Sequence, residues 1–418
     1  MASPAEAPPP PALVNISFYL VLCAQFLSAL ADNALLFAAI GLLMYFNAPD
    51  WHVPALQQSF IVAYILLAPF VGPFADAMPK GRVMFIGNGL KFLGCLAMLA
   101  GMPPLMAYGL VGVGAAVYSP AKYGILTELL PPARLVEANG WVEGATVAAI
   151  VLGAILGGAL INPGWAAKGL SLLDLAGRLI EPKFAILAIT GLYLFAALVN
   201  LFIPRLPIDH RLPQRRAAFV LRDFWHTFVL LWKDPLGQVS LAVTTLFWGV
   251  GATLRLVIIA WAAFNLQFGL DQATQITALV AAGVAVGALA AGWLIPLEKS
   301  VRVLPAGIFL GVFPVLLIWV HHFWLAAGML FAIGVLSGYF VVPLNALLQH
   351  RGHLLMGAGH SIALQNFNEN LGILVLVSAY TLMVKAQWSI HTIMLLFGLF
   401  ISGIMTLIWR RHRLDPVH

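Results

Sequence analysis

The fold is decided by the stretch from Ile16 to Phe46, which reads ISFYLVLCAQFLSALADNALLFAAIGLLMYF. It is long and apolar enough to cross a bilayer as one helix, yet an acid, Asp32, lies near its middle. A hydrocarbon core has no water to solvate a carboxylate, so an acid at that depth is normally buried against a partner or beside a water-filled cavity. Asp32 is therefore the first candidate functional residue.

The composition of the whole chain is that of a membrane protein. Of its 418 residues 61% are hydrophobic and 9% are charged, with a mean hydropathy of +0.94, whereas a soluble chain carries roughly 25% charged residues. A helix needs about 20 apolar residues to span the hydrocarbon. We predict an all-α polytopic membrane protein with twelve spans, at 15–43, 54–75, 82–101, 104–126, 137–161, 183–204, 236–264, 272–296, 302–320, 323–347, 355–383 and 387–409.

Basic residues are distributed unevenly between the two sides of the predicted membrane. With the amino terminus taken as cytoplasmic, fifteen Lys and Arg residues fall on the cytoplasmic side and four on the opposite side. This asymmetry follows the positive-inside rule and predicts that both termini are cytoplasmic. It also accounts for the net charge of +6 without a nucleic-acid partner.

The remaining composition predicts neither a cofactor nor a metal centre. Cys23 and Cys95 both lie in predicted spans, so neither a disulfide framework nor a metal site is indicated. The leader, residues 1–14, is rich in Pro and Ala and has no basic segment. We expect it to be a disordered cytoplasmic tail rather than a cleavable signal peptide.

The longest polar connection, residues 205–235, divides the spans six plus six. We expect an N-terminal bundle at 15–204, this basic cytoplasmic linker, a C-terminal bundle at 236–409 and a cytoplasmic tail at 410–418. The end of the linker, from Phe224 to Trp232, is amphipathic and is consistent with a helix lying on the membrane surface. Its arginines would contact anionic headgroups or, alternatively, a docking partner.

The two halves carry a weak internal repeat. Aligning Pro120 with Pro343 gives an offset of 343 − 120 = 223 residues, and the same offset carries Asp32 to Arg255. Transporter halves related by an axis along the membrane normal place equivalent residues at equal depth. The repeat therefore predicts two pseudo-symmetric six-helix bundles, with Asp32 and Arg255 at the same depth on facing halves.

Two interpretations of Asp32 and Arg255 remain open. Opposite charges at one depth lower the free-energy cost of burying each other in the membrane, so the two residues could be a structural ion pair. A buried pair is nevertheless weak evidence for stability. A carboxylate and a guanidinium also suit a zwitterionic or anionic headgroup, or a gate that opens when substrate enters. We favour a transport role for both residues and leave open whether they touch.

Lys122 and Glu143 form a second candidate pair. Lys122 ends the fourth span and Glu143 lies about two turns into the fifth, at a similar depth. The pair is either a structural clamp or the cytoplasmic rim of a cavity, and Lys122 could also extend its ammonium to the interface.

The eleventh span contains a third polar group. Gln365, Asn366, Asn368, Glu369 and Asn370 crowd together inside an apolar stretch. They either hydrogen-bond between helices or, with Asn366 and Glu369 facing inward, form a polar wall for a headgroup. Lys91, midway along the third span, receives no role.

The connection after the second span carries a known signature. It reads GPFADAMPKGR from Gly72 to Arg82, which resembles the glycine–aspartate–basic motif of the major facilitator superfamily. In that superfamily the aspartate and the basic groups clamp cytoplasmic helix ends together. The resemblance implies such a clamp from Gly72, Asp76, Lys80 and Arg82.

Within that superfamily the chain most resembles the lysophospholipid transporter family. The resemblance rests on ADNA at 31–34, on FAD at 74–76 followed by PKGRVM at 79–84, and on YSPAKYGILTELLP at 118–131 followed by LVEANG at 135–140. Members move lysophosphatidylethanolamine and lysophosphatidylglycerol to the cytoplasmic leaflet of the bacterial inner membrane. A peripheral acyltransferase/acyl-carrier-protein synthetase then reacylates them. The resemblance implies the same cargo, location and partner here, for a monomeric transporter working by alternating access.

Such a cargo fits the residues already singled out. One acyl chain with a phosphate headgroup needs an apolar path beside a charged centre. Arg255 would meet the phosphate, and Asp32 would meet either the ethanolamine amine or, in the resting state, Arg255 itself. Because lysophosphatidylglycerol has no amine, an Asp32–Arg255 gate fits both lipids better than amine binding by Asp32 does. The alternatives are a proton-coupled efflux carrier for amphiphilic drugs and, ranked lowest, a membrane lipid enzyme or acyltransferase anchor. No Ser/His/Asp or His/Asp arrangement supports an enzyme.

Overall fold

The computed structural model describes residues 16–49, 51–162, 164, 180–206, 216–268 and 270–414. The expected tail at 1–14, part of the linker and the last four residues lie outside these ranges. Within them the chain forms thirteen α-helices: α1 Ile16–Tyr45, α2 His52–Asp76, α3 Lys80–Leu99, α4 Pro104–Leu129, α5 Leu135–Ile161, α6 Glu181–Asn200, α7 Ala217–Lys233, α8 Pro235–Asn265, α9 Leu270–Leu294, α10 Leu304–Leu317, α11 Phe323–Met356, α12 Ala358–Lys385 and α13 Ile390–Leu414.

Every predicted span corresponds to one of these helices, and α7 belongs to the linker. Eleven helical segments in the described ranges are long and apolar enough to cross a membrane. The remaining span, α4, has 26 residues, but its glycines, its tyrosines and Lys122 lower its hydropathy. Pro120 lies inside α4 and Pro343 inside α11, the fourth and tenth spans, so the 223-residue offset aligns equivalent helices.

Small residues set the helix packing within each half. A Cβ placed on Gly157 of α5 would lie 2.6 Å from the Ala34 carbonyl oxygen of α1, whereas one on the neighbouring Gly158 would meet nothing within 4 Å. In the second half a Cβ on Gly287 of α9 would collide with the Val335 carbonyl of α11. Close backbone approach at small residues is a usual packing mode of membrane helices, and it fixes α5 against α1 and α9 against α11.

The two halves meet through α5 with α9 and through α2 and α4 with α12. Helix α7 lies against the end of this interface, on the face of the molecule where α2 ends and α12 begins. We call this face the linker side. The rings of Phe224 and Phe228 on α7 pack edge-on against Phe367 of α12, with centroid separations of 5.5 and 6.4 Å. The linker helix is therefore attached to the second half.

Candidate functional site

A cavity of about 270 Å³ lies between the two halves. Its walls come from α1, α2, α3 and α4 in the first half and from α8 and α12 in the second. The polar and aromatic residues that line it are Gln25, Ser28, Asp32, Tyr64, Lys91, Tyr118, Ser119, Lys122, Tyr123, Trp248, Asn366, Glu369 and Asn370. Charges of both signs at membrane depth make this cavity the candidate site.

Asp32 is paired with Lys91, not with Arg255. Lys91 Nζ lies 2.8 Å from Asp32 Oδ2, and the Tyr193 hydroxyl donates to Asp32 Oδ1 at 2.7 Å. Lys91 also donates to Ser28 Oγ at 3.0 Å. The ion partner of Asp32 thus comes from its own half, which answers the question, left open by the sequence, of whether Asp32 and Arg255 touch. The reason is packing: α3 brings a lysine to the depth of Asp32.

Arg255 lies outside the cavity that contains Asp32. It is exposed and does not line the cavity. Seven residues of helix make almost two full turns and rise about 10 Å, so Arg255 lies on the same face of α8 as Trp248, further from the linker side. Trp248 does line the cavity. Arg255 is therefore positioned beyond the cavity, toward the side opposite the linker.

Lys122 and Glu143 meet through Tyr123 rather than as a direct ion pair. The Tyr123 hydroxyl donates to Glu143 Oε1 at 3.0 Å, and Lys122 Nζ lies 4.7 Å from the centre of the Tyr123 ring. Lys122 also donates to Thr146 Oγ1 at 3.2 Å. Lys122 lines the cavity whereas Glu143 is buried behind it, so the ammonium is the half of this pair that a ligand can reach.

One face of α12 is polar and lines the cavity. Asn366, Glu369 and Asn370 line the cavity at helical spacing. Asn366 Nδ2 donates to Ser119 Oγ across the halves at 2.9 Å, and Gln365 Nε2 donates to Glu369 Oε1 at 2.7 Å. The cluster therefore hydrogen-bonds between helices and also faces the cavity, and its role as a wall for a headgroup stays a prediction.

On the linker side of the cavity the two halves are joined by contacts centred on Asp76, which we call the clamp. Asp76 Oδ1 accepts from Lys80 Nζ at 2.6 Å and from the Gly359 N–H at 2.7 Å. Its Oδ2 lies 2.6 Å from His360 Nδ1 and accepts the His360 N–H at 3.0 Å. Gly359 and His360 begin α12, so one carboxylate joins the two halves. Helix α7 contributes Asp223, 3.4 Å from His360 Nε2.

The other two residues of the implied clamp have different surroundings. A Cβ on Gly72 would lie 3.0 Å from His360 Cα, so a larger residue would push α2 and α12 slightly apart. Arg82 is exposed. Lys80 binds Glu128 Oε1 at 3.1 Å as well as Asp76, so Lys80, and not Arg82, is the basic group seen in the clamp. A second contact between the halves lies nearby, where Asn139 and Gln349 exchange amide hydrogen bonds of 2.9 and 2.8 Å.

Sequence reasoning missed several residues around Asp32. Lys91, Ser28 and Tyr193 surround Asp32, but only Lys91 carried a signal, as a lysine midway along a span. Ser28 is four residues before Asp32 and therefore on the same helical face.

Within the described ranges no cluster of three or more His, Cys, Asp or Glu residues could hold a metal ion.

Comparison with known proteins places this architecture in a family. The model of the Major Facilitator Superfamily matches residues 21–377. The chain is 44% identical over 375 residues to the Lysophospholipid transporter LplT of Serratia proteamaculans (strain 568), covering 89% of this chain and 90% of that protein. It is 44% identical over 402 residues to the protein of the same name from Enterobacter sp. (strain 638), covering 94% and 96% of the two chains.

Solved structures support the same fold. The human organic anion transporter MFSD10 superposes with a TM-score of 0.69 at 18% identity, over 94% of this chain and 98% of that one. A bacterial homologue of the iron transporter ferroportin in an outward-facing state gives 0.68 at 18% identity, over 95% and 99%. The chain is thus a multi-pass membrane transporter rather than an enzyme, and it belongs to the lysophospholipid transporter family of the major facilitator superfamily.

Proposed function

We propose that the protein moves lysophospholipids, such as lysophosphatidylethanolamine and lysophosphatidylglycerol, across a bacterial inner membrane to the inner leaflet. The observation that carries the proposal is the cavity between the halves, which holds Asp32, Lys91, Lys122 and Glu369 at membrane depth. A headgroup bearing a phosphate, with or without an amine, needs charges of both signs in a low-dielectric setting. The names of the 44% identical relatives support the same cargo.

Lys122 is the residue that best suits the lipid phosphate. Its ammonium lines the cavity and its contacts are a threonine hydroxyl and a tyrosine ring. Lys91, in contrast, is already held by Asp32. The carboxylates of Asp32 and Glu369 face the same space and suit an ethanolamine amine. Arg255, further from the linker side, would attract the phosphate at the cavity entrance.

The transport cycle that we propose is alternating access. In this proposal the linker side and both termini are cytoplasmic, because the basic connections concentrate on that side. The clamp around Asp76 and the Asn139–Gln349 contact close that side. Lipid would enter from the opposite side, and these contacts would separate to release it toward the cytoplasm. The transporter would work as a monomer and deliver its cargo to a peripheral acyltransferase/acyl-carrier-protein synthetase.

A second candidate function is proton-coupled efflux of amphiphilic drugs. The observation in its favour is Glu369, a buried cavity acid whose hydrogen-bond partner is the neutral Gln365. An acid without a basic partner in a membrane cavity is a candidate proton carrier. Collapse of the proton gradient during transport separates this function from passive lipid flipping.

The test is uptake of labelled lysophosphatidylethanolamine into proteoliposomes. We expect uptake by the wild type and a loss of at least tenfold in Lys122→Gln and Asp32→Asn. Lys183→Gln is the matched control, since Lys183 contacts the Leu99 carbonyl oxygen at 3.4 Å and does not line the cavity. No uptake by the wild type, together with export of an amphiphilic dye, would replace the lipid proposal by the drug carrier.

A further inference from the structure

A groove on the second half lies behind the wall of the central cavity. Helix α12 has two different faces: Asn366, Glu369 and Asn370 line the central cavity, whereas Leu371 and Val375 line the groove together with α8 and α13. Leu371 and Val375 are 41% and 57% exposed. The groove is therefore open to the lipid that surrounds the bundle and is separate from the central cavity.

The groove has a basic mouth and an apolar floor. Its two contiguous parts measure about 430 and 350 Å³ and share Trp232, Ala242 and Ile408. Lys233, Arg411 and His412 border the part nearer the linker side. The other part is lined almost entirely by apolar side chains. This arrangement matches a phospholipid, whose charged headgroup would lie at the basic mouth and whose acyl chain would lie along the apolar part.

The depth of the groove matches one leaflet of a bilayer. On α13 its lining extends from His412 to Phe400, and on α8 it extends from Pro235 to Leu246. Eleven residues of helix span about 16 Å, and half of a hydrocarbon core measures about 15 Å. A lipid with its headgroup at the mouth would thus lie in the leaflet on the linker side.

The positive charge of the mouth is not cancelled by the adjacent acid. Asp234, next to Lys233 in sequence, accepts from the Gly237 N–H at 2.8 Å and binds Arg351 through both carboxylate oxygens. It therefore caps α8 and holds α11 instead of pairing with the basic residues of the mouth. Basic pockets between membrane helices at the cytoplasmic surface are sites for anionic lipid headgroups.

We propose that this groove binds one phospholipid with an anionic headgroup, of the phosphatidylglycerol type, as a resident lipid rather than as cargo. Its phosphate lies between Lys233 and Arg411, and an acyl chain extends past Ala242 along α12. A zwitterionic lipid binds less well because its ammonium is repelled by the basic mouth. The site does not depend on which lipid the central cavity transports.

Native mass spectrometry of the purified full-length protein in detergent tests the proposal. Phosphatidylglycerol, phosphatidylethanolamine and lysophosphatidylglycerol are titrated separately, and bound lipids are counted. We expect one phosphatidylglycerol to bind more tightly than phosphatidylethanolamine. Each basic residue near a membrane surface contributes roughly 1 kcal/mol, or about fivefold in affinity, so Lys233→Gln with Arg411→Gln should weaken that binding by about 25-fold.

Two controls make the result specific. Arg410 is next to Arg411 in sequence but does not line the groove. Arg410→Gln therefore removes one positive charge outside the groove and should leave phosphatidylglycerol binding unchanged. Ala242→Phe, which fills the junction of the two parts, should abolish binding, whereas Leu407→Phe on the exposed face of α13 should not. Equal binding of the two diacyl lipids, an equal loss in Arg410→Gln, or tight binding of lysophosphatidylglycerol without phosphatidylglycerol would overturn the proposal.

Discussion

The Asp32–Lys91 pair makes an asymmetric prediction about stability. The Lys91 side chain is 1% exposed and the Asp32 side chain is 25% exposed. Removing either charge leaves the other unpaired, but the lysine is left in the less solvated place. Asp32→Asn should therefore destabilise the protein more than Lys91→Met does.

The magnitudes follow from the exposure of each partner. Breaking a fully buried ion pair lowers the free energy of unfolding by about 3–5 kcal/mol. Asp32→Asn should cost about 3 kcal/mol, at the low end of this range, because Lys91 keeps its contact with Ser28. Lys91→Met leaves a partly solvated carboxylate that still accepts from Tyr193, and should cost about 2 kcal/mol, between the values for exposed and buried pairs. The double variant leaves no unpaired charge and should cost about 2 kcal/mol, roughly 3 kcal/mol less than the sum.

Reversible unfolding in mixed detergent micelles measures these three free energies, and lysophospholipid uptake is measured on the same preparations. The double variant should be about as stable as Lys91→Met and more stable than Asp32→Asn, but it should not regain uptake, because the cavity has lost both charges. Additive costs, within about 0.5 kcal/mol, would show that the two residues are not coupled. Recovery of uptake in the double variant would limit the pair to a structural role.

Three further predictions concern the clamp, the helix packing and the entrance. Asp76→Asn should populate a state open on the linker side, seen as a longer distance between spin labels on α2 and α12, whereas Arg82→Gln should not change that distance. Gly157→Ala should cost about 1–3 kcal/mol through overpacking against α1, and Gly158→Ala should be neutral or stabilising by up to about 1 kcal/mol; thermal unfolding compares them. Arg255→Gln should lower lysophospholipid uptake with a stability change within about 0.5 kcal/mol, and unchanged uptake would exclude a role at the entrance.

The layout of the membrane helices could be predicted because it depends on local composition. Each span is a run of about 20 apolar residues, and a hydrocarbon solvent permits few structures besides a helix. The 223-residue offset, taken from Pro120 and Pro343, joins equivalent helices, and the motif from Gly72 to Arg82 contains Asp76, which contacts the start of α12. These signals lie in the chain itself and need no knowledge of which helices touch.

Partners across helices could not be predicted in the same way. Equal depth in equivalent helices made Arg255 a candidate partner for Asp32, but an ion pair also requires facing side chains, and that depends on helix rotation and neighbours. Lys91 had the required depth, and α3 faces α1 within the same bundle. His360 was missed for the same reason, because its contact with Asp76 spans 284 residues.

The placement of Lys91 changes which contacts can act as the gate. If the halves move as rigid bundles, the Asp32–Lys91 pair moves with the first bundle and stays intact throughout the cycle. The contacts that have to separate are those between bundles, namely Asp76 with the start of α12, Asn139 with Gln349, and Ser119 with Asn366. Ser119 and Asn366 also line the cavity, so a headgroup bound there competes directly for one of these contacts. In the proposed cycle, a headgroup that takes the place of Ser119 on Asn366 would couple substrate binding to opening of the linker side.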